Sequence, residues 1–404
     1  MGVVIKGGRL IDGTGKPPLP LDRAVVVIED KHIKAVGPEG QVALPSDATV
    51  IDANGRTVLP ALMDLHAGIA GLTHAEEPYG MTAKYLAASI LRAVANARRC
   101  LNVGVTTVRV DTCGHHGIFA LKEAFAAGVV DGPRLIVPGR GICMTGGHGW
   151  HGGCHEADGA DEVRKAAREE LRAGADWVKL MATGGAGSAT ERAEDAQMTL
   201  EELKAGVEEA HKKGKYAYAH VSCAEGARLC IEAGVDSIEH GLMLDEDNIR
   251  QMKEKGLFLV PTLSVYHKLV ERGEKKQVPD FMYRKALQVV KQHAESFRMA
   301  LGAGVKIAAG TDSGGYWYDM GESLLWELEI MNKEGMSPME CLKSATSRAA
   351  ECLRMTDSLG TLEAGKLADV LIVDGDPLSN MSEIRKTWMV FKEGRVVFKQ
   401  GAGL

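Results

Sequence analysis

The chain has 404 residues, a formal net charge of −6, 45% hydrophobic residues and 25% charged ones. That balance leaves no basic field for nucleic acid or an anionic membrane surface, and no apolar run approaches the roughly 18 residues a membrane-spanning helix needs. The length exceeds the needs of one small domain. Met1-Gly2-Val3-Val4-Ile5-Lys6 lacks the long apolar stretch of a signal peptide, so a cytoplasmic protein is expected. The eight cysteines form no Cys-x-x-Cys pair and read as reduced, mostly buried thiols.

In chain order, the first elements are β-rich runs at Val3-Val4-Ile5, Ala24-Val25-Val26-Val27-Ile28 and Ile33-Lys34-Ala35-Val36, punctuated by Gly, Asp and Pro. The same texture returns at Asp369-Val370-Leu371-Ile372-Val373. It recurs on both sides of Lys392-Glu393-Gly394-Arg395, a hairpin turn. Both chain ends therefore predict one small β-sandwich module, residues 1–57 with 356–404. Between them, eight apolar strands are expected at 58–66, 104–111, 134–138, 175–181, 216–220, 235–240, 257–261 and 305–312. Helical patterns alternate with them, the clearest at 82–100, 160–173, 199–213, 224–233, 245–255 and 280–302. Such alternation implies a parallel sheet. Eight repeats, with no Gly-x-Gly-x-x-Gly turn after the first strand, favour a (β/α)8 TIM barrel over 58–355 rather than an open doubly wound sheet.

Polar residues suited to metal binding recur where these strands end: His66 on the first, Lys179 on the fourth, His220 on the fifth, His240 on the sixth and Asp312 on the eighth. In a barrel these ends converge on one mouth. Neutral imidazoles with a carboxylate suit zinc or a similar divalent ion. Lysine joins such a set only after modification, for example as a carbamate formed with CO2. Such an ion acidifies water and polarises a carbonyl. Asp312 is then placed to take the water's proton and pass it to a leaving nitrogen.

Several motifs extend the pattern: Leu59-Pro60-Ala61-Leu62-Met63-Asp64-Leu65-His66, Gly104-Val105-Thr106-Thr107-Val108-Arg109, Thr145-Gly146-Gly147-His148-Gly149, Lys179-Leu180-Met181-Ala182-Thr183-Gly184-Gly185, Ser237-Ile238-Glu239-His240-Gly241 and Gly310-Thr311-Asp312-Ser313-Gly314. Taken in order, they resemble the amidohydrolase superfamily, and within it the prolidase-like and imidazolonepropionase-like hydrolases, over nearly the whole chain. The resemblance implies a carboxylated, bridging Lys179, metal ligation by His66, His220 and His240, and Asp312 as metal-bound acid/base. It further implies substrate contacts from His148 and Tyr266. The reaction implied is hydrolysis of an amide C–N bond in a dipeptide or N-acyl amino acid, with one or two zinc or similar divalent ions. A small-molecule substrate and a homo-oligomer are expected, with neither nucleic acid nor membrane as partner.

One position departs from that pattern. The family's His-x-His on strand one reads His66-Ala67-Gly68 here, so one imidazole is missing. His74, His115, His116, His151 and His155 are candidate substitutes. Three readings stay open: a mononuclear enzyme, a dinuclear one completed by a loop histidine or solvent, and an inactive barrel that binds a small molecule. Cyclic amides and lactones are alternative substrates, whereas the strand-four lysine argues against a deaminase. Trp150, Trp317 and Tyr318 are candidates for an aromatic wall.

Overall fold

The β-branched runs at the two chain ends form two sheets in the computed structural model, which describes residues 2–16, 24–71, 83–187, 189–314 and 318–401. The N-terminal part supplies β1 (Val3–Lys6), β2 (Arg9–Leu10), β3 (Ala24–Glu29), β4 (His32–Pro38), β5 (Thr49–Asp52) and β6 (Thr57–Pro60). Parallel strands follow: β7 (Leu62–Ala67), β8 (Val105–Val110), β9 (Arg134–Ile136), β10 (Ile142–Cys143), β11 (His155–Glu156), β12 (Trp177–Met181), β13 (Tyr216–Cys223), β14 (Ser237–Met243), β15 (Phe258–Val260) and β16 (Lys306–Ile307). The C-terminal part adds β17 (Val370–Val373), β18 (Thr387–Lys392) and β19 (Arg395–Lys399).

One sheet runs β4-β3-β1-β5 and another β19-β18-β17-β6-β2, so the second is woven from both ends of the chain. Alternate residues of both sheets, among them Ile5, Val26, Val58, Val370, Ile372 and Phe391, meet in a single buried apolar cluster. The stretch 58–66, expected as one strand, divides at Ala61. Val58 and Leu59 pair antiparallel with Ile372 and Leu371, and the Ala61 N–H still donates to Asp369. At the next residue the Leu62 N–H turns to the carbonyl of Gly104. Hydrophobicity runs unbroken through this point; the change is one of hydrogen-bond partner.

The parallel strands form two α/β sheets, β7-β8-β9 and β11-β10-β12-β13-β14-β15-β16. Hydrogen bonds link them at both margins, Leu65 N–H to Ala309 O at 3.0 Å and Asp176 N–H to Val137 O at 2.7 Å. Helices join the strands. Ala160–Ala173 buries Val163, Ala166, Ala167 and Glu170, one face at helical spacing, and its C-cap Gly174 has a φ of 113° that a side chain would resist. Leu200–Lys212 starts with a capping box between Thr199 and Glu202. Among the described residues no helix is long and apolar enough to cross a membrane.

Candidate active site

The parallel strands carry their polar residues to one place. His66 ends β7, Lys179 lies in β12, His220 in β13 and His240 in β14, while Asp312 follows β16. Tyr266 sits in the first turn of helix Leu263–Glu274, and His148 in the loop after β10. All seven line one cavity of about 250 Å³.

Three of them converge most closely: His66, His240 and Asp312 each offer a ligand atom within 4.8 Å of the others. His66 Nε2 lies 3.7 Å from Asp312 Oδ1. Its Nδ1–H donates to Glu239 Oε2 at 2.7 Å, and Glu239 is held in turn by Arg109, whose Nη2 is 2.8 Å from both carboxylate oxygens. Burial would raise the Glu239 pKa, but the Arg109 charge and the His66 bond bring it down to about 2. An ionised acceptor on Nδ1 fixes the His66 tautomer and leaves the Nε2 lone pair toward Asp312. Burial and the nearby Lys179 charge lower the His66 pKa to about 4, so its ring is neutral. His240 is held far below the ordinary histidine range, first by burial, and its Nδ1 pairs with Thr262 Oγ1 at 2.7 Å. Asp312 is raised, first by burial and then by the Asp111 charge. Lone-pair imidazoles beside a half-buried carboxylate are a donor set that fits a divalent cation.

The backbone is strained at this convergence. His240, Thr262 and Asp312 adopt φ of +65°, +52° and +56°, a left-handed conformation that side chains avoid unless surrounding structure imposes it.

Lys179 and His220 line the same cavity but stand outside the tight group. The Lys179 ammonium lies 4.8 Å from the Tyr218 ring centre, and burial lowers its pKa against the pull of Glu239, Asp111 and Asp312. His220 Nε2 is 3.1 Å from Gly184 O; a carbonyl only accepts, so this nitrogen carries the proton. The ring stacks on His148 with centres 4.0 Å apart. His148 Nδ1 pairs with Glu191 Oε1 at 2.9 Å, and its backbone N–H donates to Gln197 Oε1. Burial raises the Glu191 pKa, yet the His148 bond and charge, with Gln197 and Lys285, leave it lowered.

Sequence reasoning missed Asp111, Glu191 and the Arg109–Glu239 pair. The signal for Glu239 was present, a carboxylate inside an apolar strand. Asp111 carried a signal too, since it ends the expected strand 104–111, and was passed over; Glu191 gave none, because chain topology alone brings it to the cavity. Of the described candidate substitutes for the absent imidazole, His151 alone lines the cavity. His116 bonds to Glu170 at 2.8 Å, His155 lies 3.9 Å from the same carboxylate, and His115 bonds to Ser89. His74 lies outside the described residues, as does Trp317. Trp150 packs on Cys143, Cys154 and Met181, and Tyr318 lies in the core cluster with Leu242 and Val289. The described cavity wall is instead aliphatic, with Val265, Leu269 and Met282 beside Tyr266.

Comparison with known proteins identifies the family. The Amidohydrolase family model matches residues 57–397. An ochratoxinase from Aspergillus niger is 31% identical over 432 residues, covering 99% of this chain and 87% of that protein. A crystal structure of a Xaa-Pro dipeptidase with methionine bound in its active site superposes with a TM-score of 0.89 at 32% identity, covering 98% of this chain and 99% of that one. A prolidase complexed with N-methylphosphonate-L-proline gives 0.88 at 29% identity, over 99% of this chain and all (100%) of that one.

Proposed function

We propose, on the premise that the chain belongs to the amidohydrolase family, that it hydrolyses the amide C–N bond of a dipeptide or N-acyl amino acid held in this cavity. The observation that carries the reading is the convergence of His66, His240 and Asp312 within 4.8 Å in a cavity also lined by Lys179, His220, His148 and Tyr266. In support of the scaffold, we read the two parallel sheets as one (β/α)8 barrel closed through Leu65–Ala309 and Asp176–Val137. The mixed terminal sheets are then its accessory β-sandwich, residues 1–57 with 356–404.

His66, His220, His240 and Asp312 would hold one or two divalent ions, zinc in the first instance. Lys179 would join them as a carbamate: its burial favours the neutral amine, the form that adds CO2. A divalent ion held by these residues would supply the polarisation of the scissile carbonyl and the acidity of an attacking water at neutral pH. Asp312 accepts the attacking water's proton and delivers it to the leaving nitrogen, so water and amide become acid and amine. His148, held by Glu191, faces the substrate carboxylate. Tyr266, with Val265, Leu269 and Met282, walls the site from solvent, which strengthens every charge interaction inside.

A mononuclear enzyme acting on a cyclic amide or lactone is the second reading, favoured by the single three-residue group found among the described residues. The test is metal content per chain followed by a screen of dipeptides, N-acyl amino acids, cyclic amides and lactones. Turnover of a linear amide, abolished in a folded Asp312→Asn variant, is the expected result. Turnover confined to cyclic substrates with one metal per chain supports the second reading. A chain that takes up no metal and turns over nothing refutes both and leaves a binding protein.

A further inference from the structure

Gly68 stands where the family resemblance calls for the second strand-one histidine, and the structure places a carboxylate directly beside it. A Cβ built on Gly68 meets Asp111 Oδ2 at 3.3 Å, Asp111 Oδ1 at 3.5 Å and the Ser313 carbonyl at 3.4 Å. The Asp111 carboxylate therefore lies in direct contact with any side chain that begins at 68, and a ring there would press on it. The adjacency comes from the sheet: β7 and β8 are neighbours, Ala67 pairs with Val110, and the Asp111 N–H donates to Ala67 O at 3.1 Å. Asp111 lines the cavity together with His66, Gly68, Lys179 and Asp312. Its Oδ1 accepts the Thr112 N–H; among the described residues Oδ2, the oxygen nearer Gly68, accepts no hydrogen bond. A half-buried carboxylate oxygen that takes no hydrogen bond from the described residues, in the cavity that His66, His240 and Asp312 share, is free to ligate a cation.

We propose that Asp111 is the metal ligand that replaces the missing histidine, and that Gly68 is glycine because this carboxylate occupies the histidine's place. The assignment rests on the metal-site reading above. It also has a chemical consequence. An oxygen donor in place of a nitrogen donor shifts the site from zinc toward harder ions such as manganese.

The test uses the full chain, stripped by a chelator and then titrated with Zn²⁺ or Mn²⁺ against a chromophoric competitor. Melting of the metal-free form checks that each variant folds. Asp111→Asn should weaken binding by at least about tenfold, since loss of a ligand's outer partner alone costs 10–100-fold. Gly68→His should gain nothing, because its side chain meets Asp111. Gly68→His with Asp111→Ala should recover most of the loss and prefer zinc over manganese more strongly than the natural chain does. Unchanged affinity in Asp111→Asn overturns the assignment, and so does a gain in Gly68→His alone. The single Gly68→His result decides the matter should Asp111→Asn fail to fold. A natural chain that takes up neither metal overturns the metal-site reading and this assignment with it; a loaded natural chain with an indifferent Asp111→Asn overturns this assignment only.

Discussion

Replacing Glu239 by Gln keeps the side chain's shape and removes the charge that faces Arg109. Both residues are 0% exposed. The Arg109 guanidinium donates to both Glu239 oxygens, to Leu65 O at 2.7 Å and to Ser237 Oγ at 3.1 Å. It also stacks against Tyr218 and Trp177, with 4.4 and 4.9 Å to the ring centres. Removing one partner of a buried pair leaves the other charge uncompensated, a loss of about 3–5 kcal/mol. Gln retains a carbonyl acceptor, and Leu65 and Ser237 still hold the guanidinium, so the lower end, about 3 kcal/mol, is expected. Urea unfolding of metal-free protein followed by tryptophan fluorescence measures it, with equal slopes required of the two proteins before midpoints are compared.

The same substitution reaches the site. His66 loses the carboxylate that fixes its tautomer, so metal affinity should fall by about 10–100-fold. Glu239 is a positioning residue in this argument, and metal affinity separates that role from stability alone. A stability loss below about 1 kcal/mol, the size of an exposed pair, with unchanged affinity, would refute the reasoning.

Glu327 supplies the pH dependence. Its oxygens accept the N–H groups of Leu263 and Ser264, yet burial outweighs these bonds and raises its pKa from 4.5 to about 7. A raised carboxyl pKa contributes stability that is complete below the unfolded value and lost as pH rises through the folded one. Stability should therefore fall between about pH 4.5 and 7, by an amount on the order of 3 kcal/mol. Asp64 and Asp111, raised to about 7 and about 6 first by burial, add to the same fall, so in Glu327→Gln the slope should shrink by Glu327's share in chemical unfolding at a series of pH values; identical slopes in the two proteins would rule the account out. Glu191→Gln removes the charge on His148 Nδ1, and the KM of a carboxylate-bearing substrate should rise about tenfold with kcat little changed. A loss confined to kcat would place His148 in the chemistry instead. Lys179→Ala should lower metal per chain, and undiminished content would exclude ligation through a carbamate.

The site residues were readable because each interrupts or ends a short apolar run toward its C-terminal end, and a parallel sheet carries all such ends to one side. That argument needs only the order of elements. Where strands break is a matter of hydrogen-bond exchange, which hydrophobicity does not encode. The run 305–312 was expected as one strand, but only Lys306–Ile307 is regular. Beyond it Gly310 packs so tightly on β7 that a Cβ would lie 2.9 Å from the His66 backbone nitrogen. Asp312 then turns through a left-handed φ of +56°. The irregularity that shortens the strand is the same one that delivers the carboxylate to His66.

The missing histidine shows the limit of motif reading more sharply. Searching the sequence for a replacement meant searching for the same chemistry, and the histidine-rich loop offered it in quantity. Composition does not reveal that His116 and His155 turn to the buried Glu170. The residue beside Gly68 follows the next strand and is of another type, invisible to a search for histidine. It emerges only from a steric question put to the backbone: what would a side chain at 68 touch? Gly68 then reads less as a lost ligand than as one half of an exchange with Asp111. Direct contact couples the two positions, so altering either one alone leaves a crowded or an unliganded site.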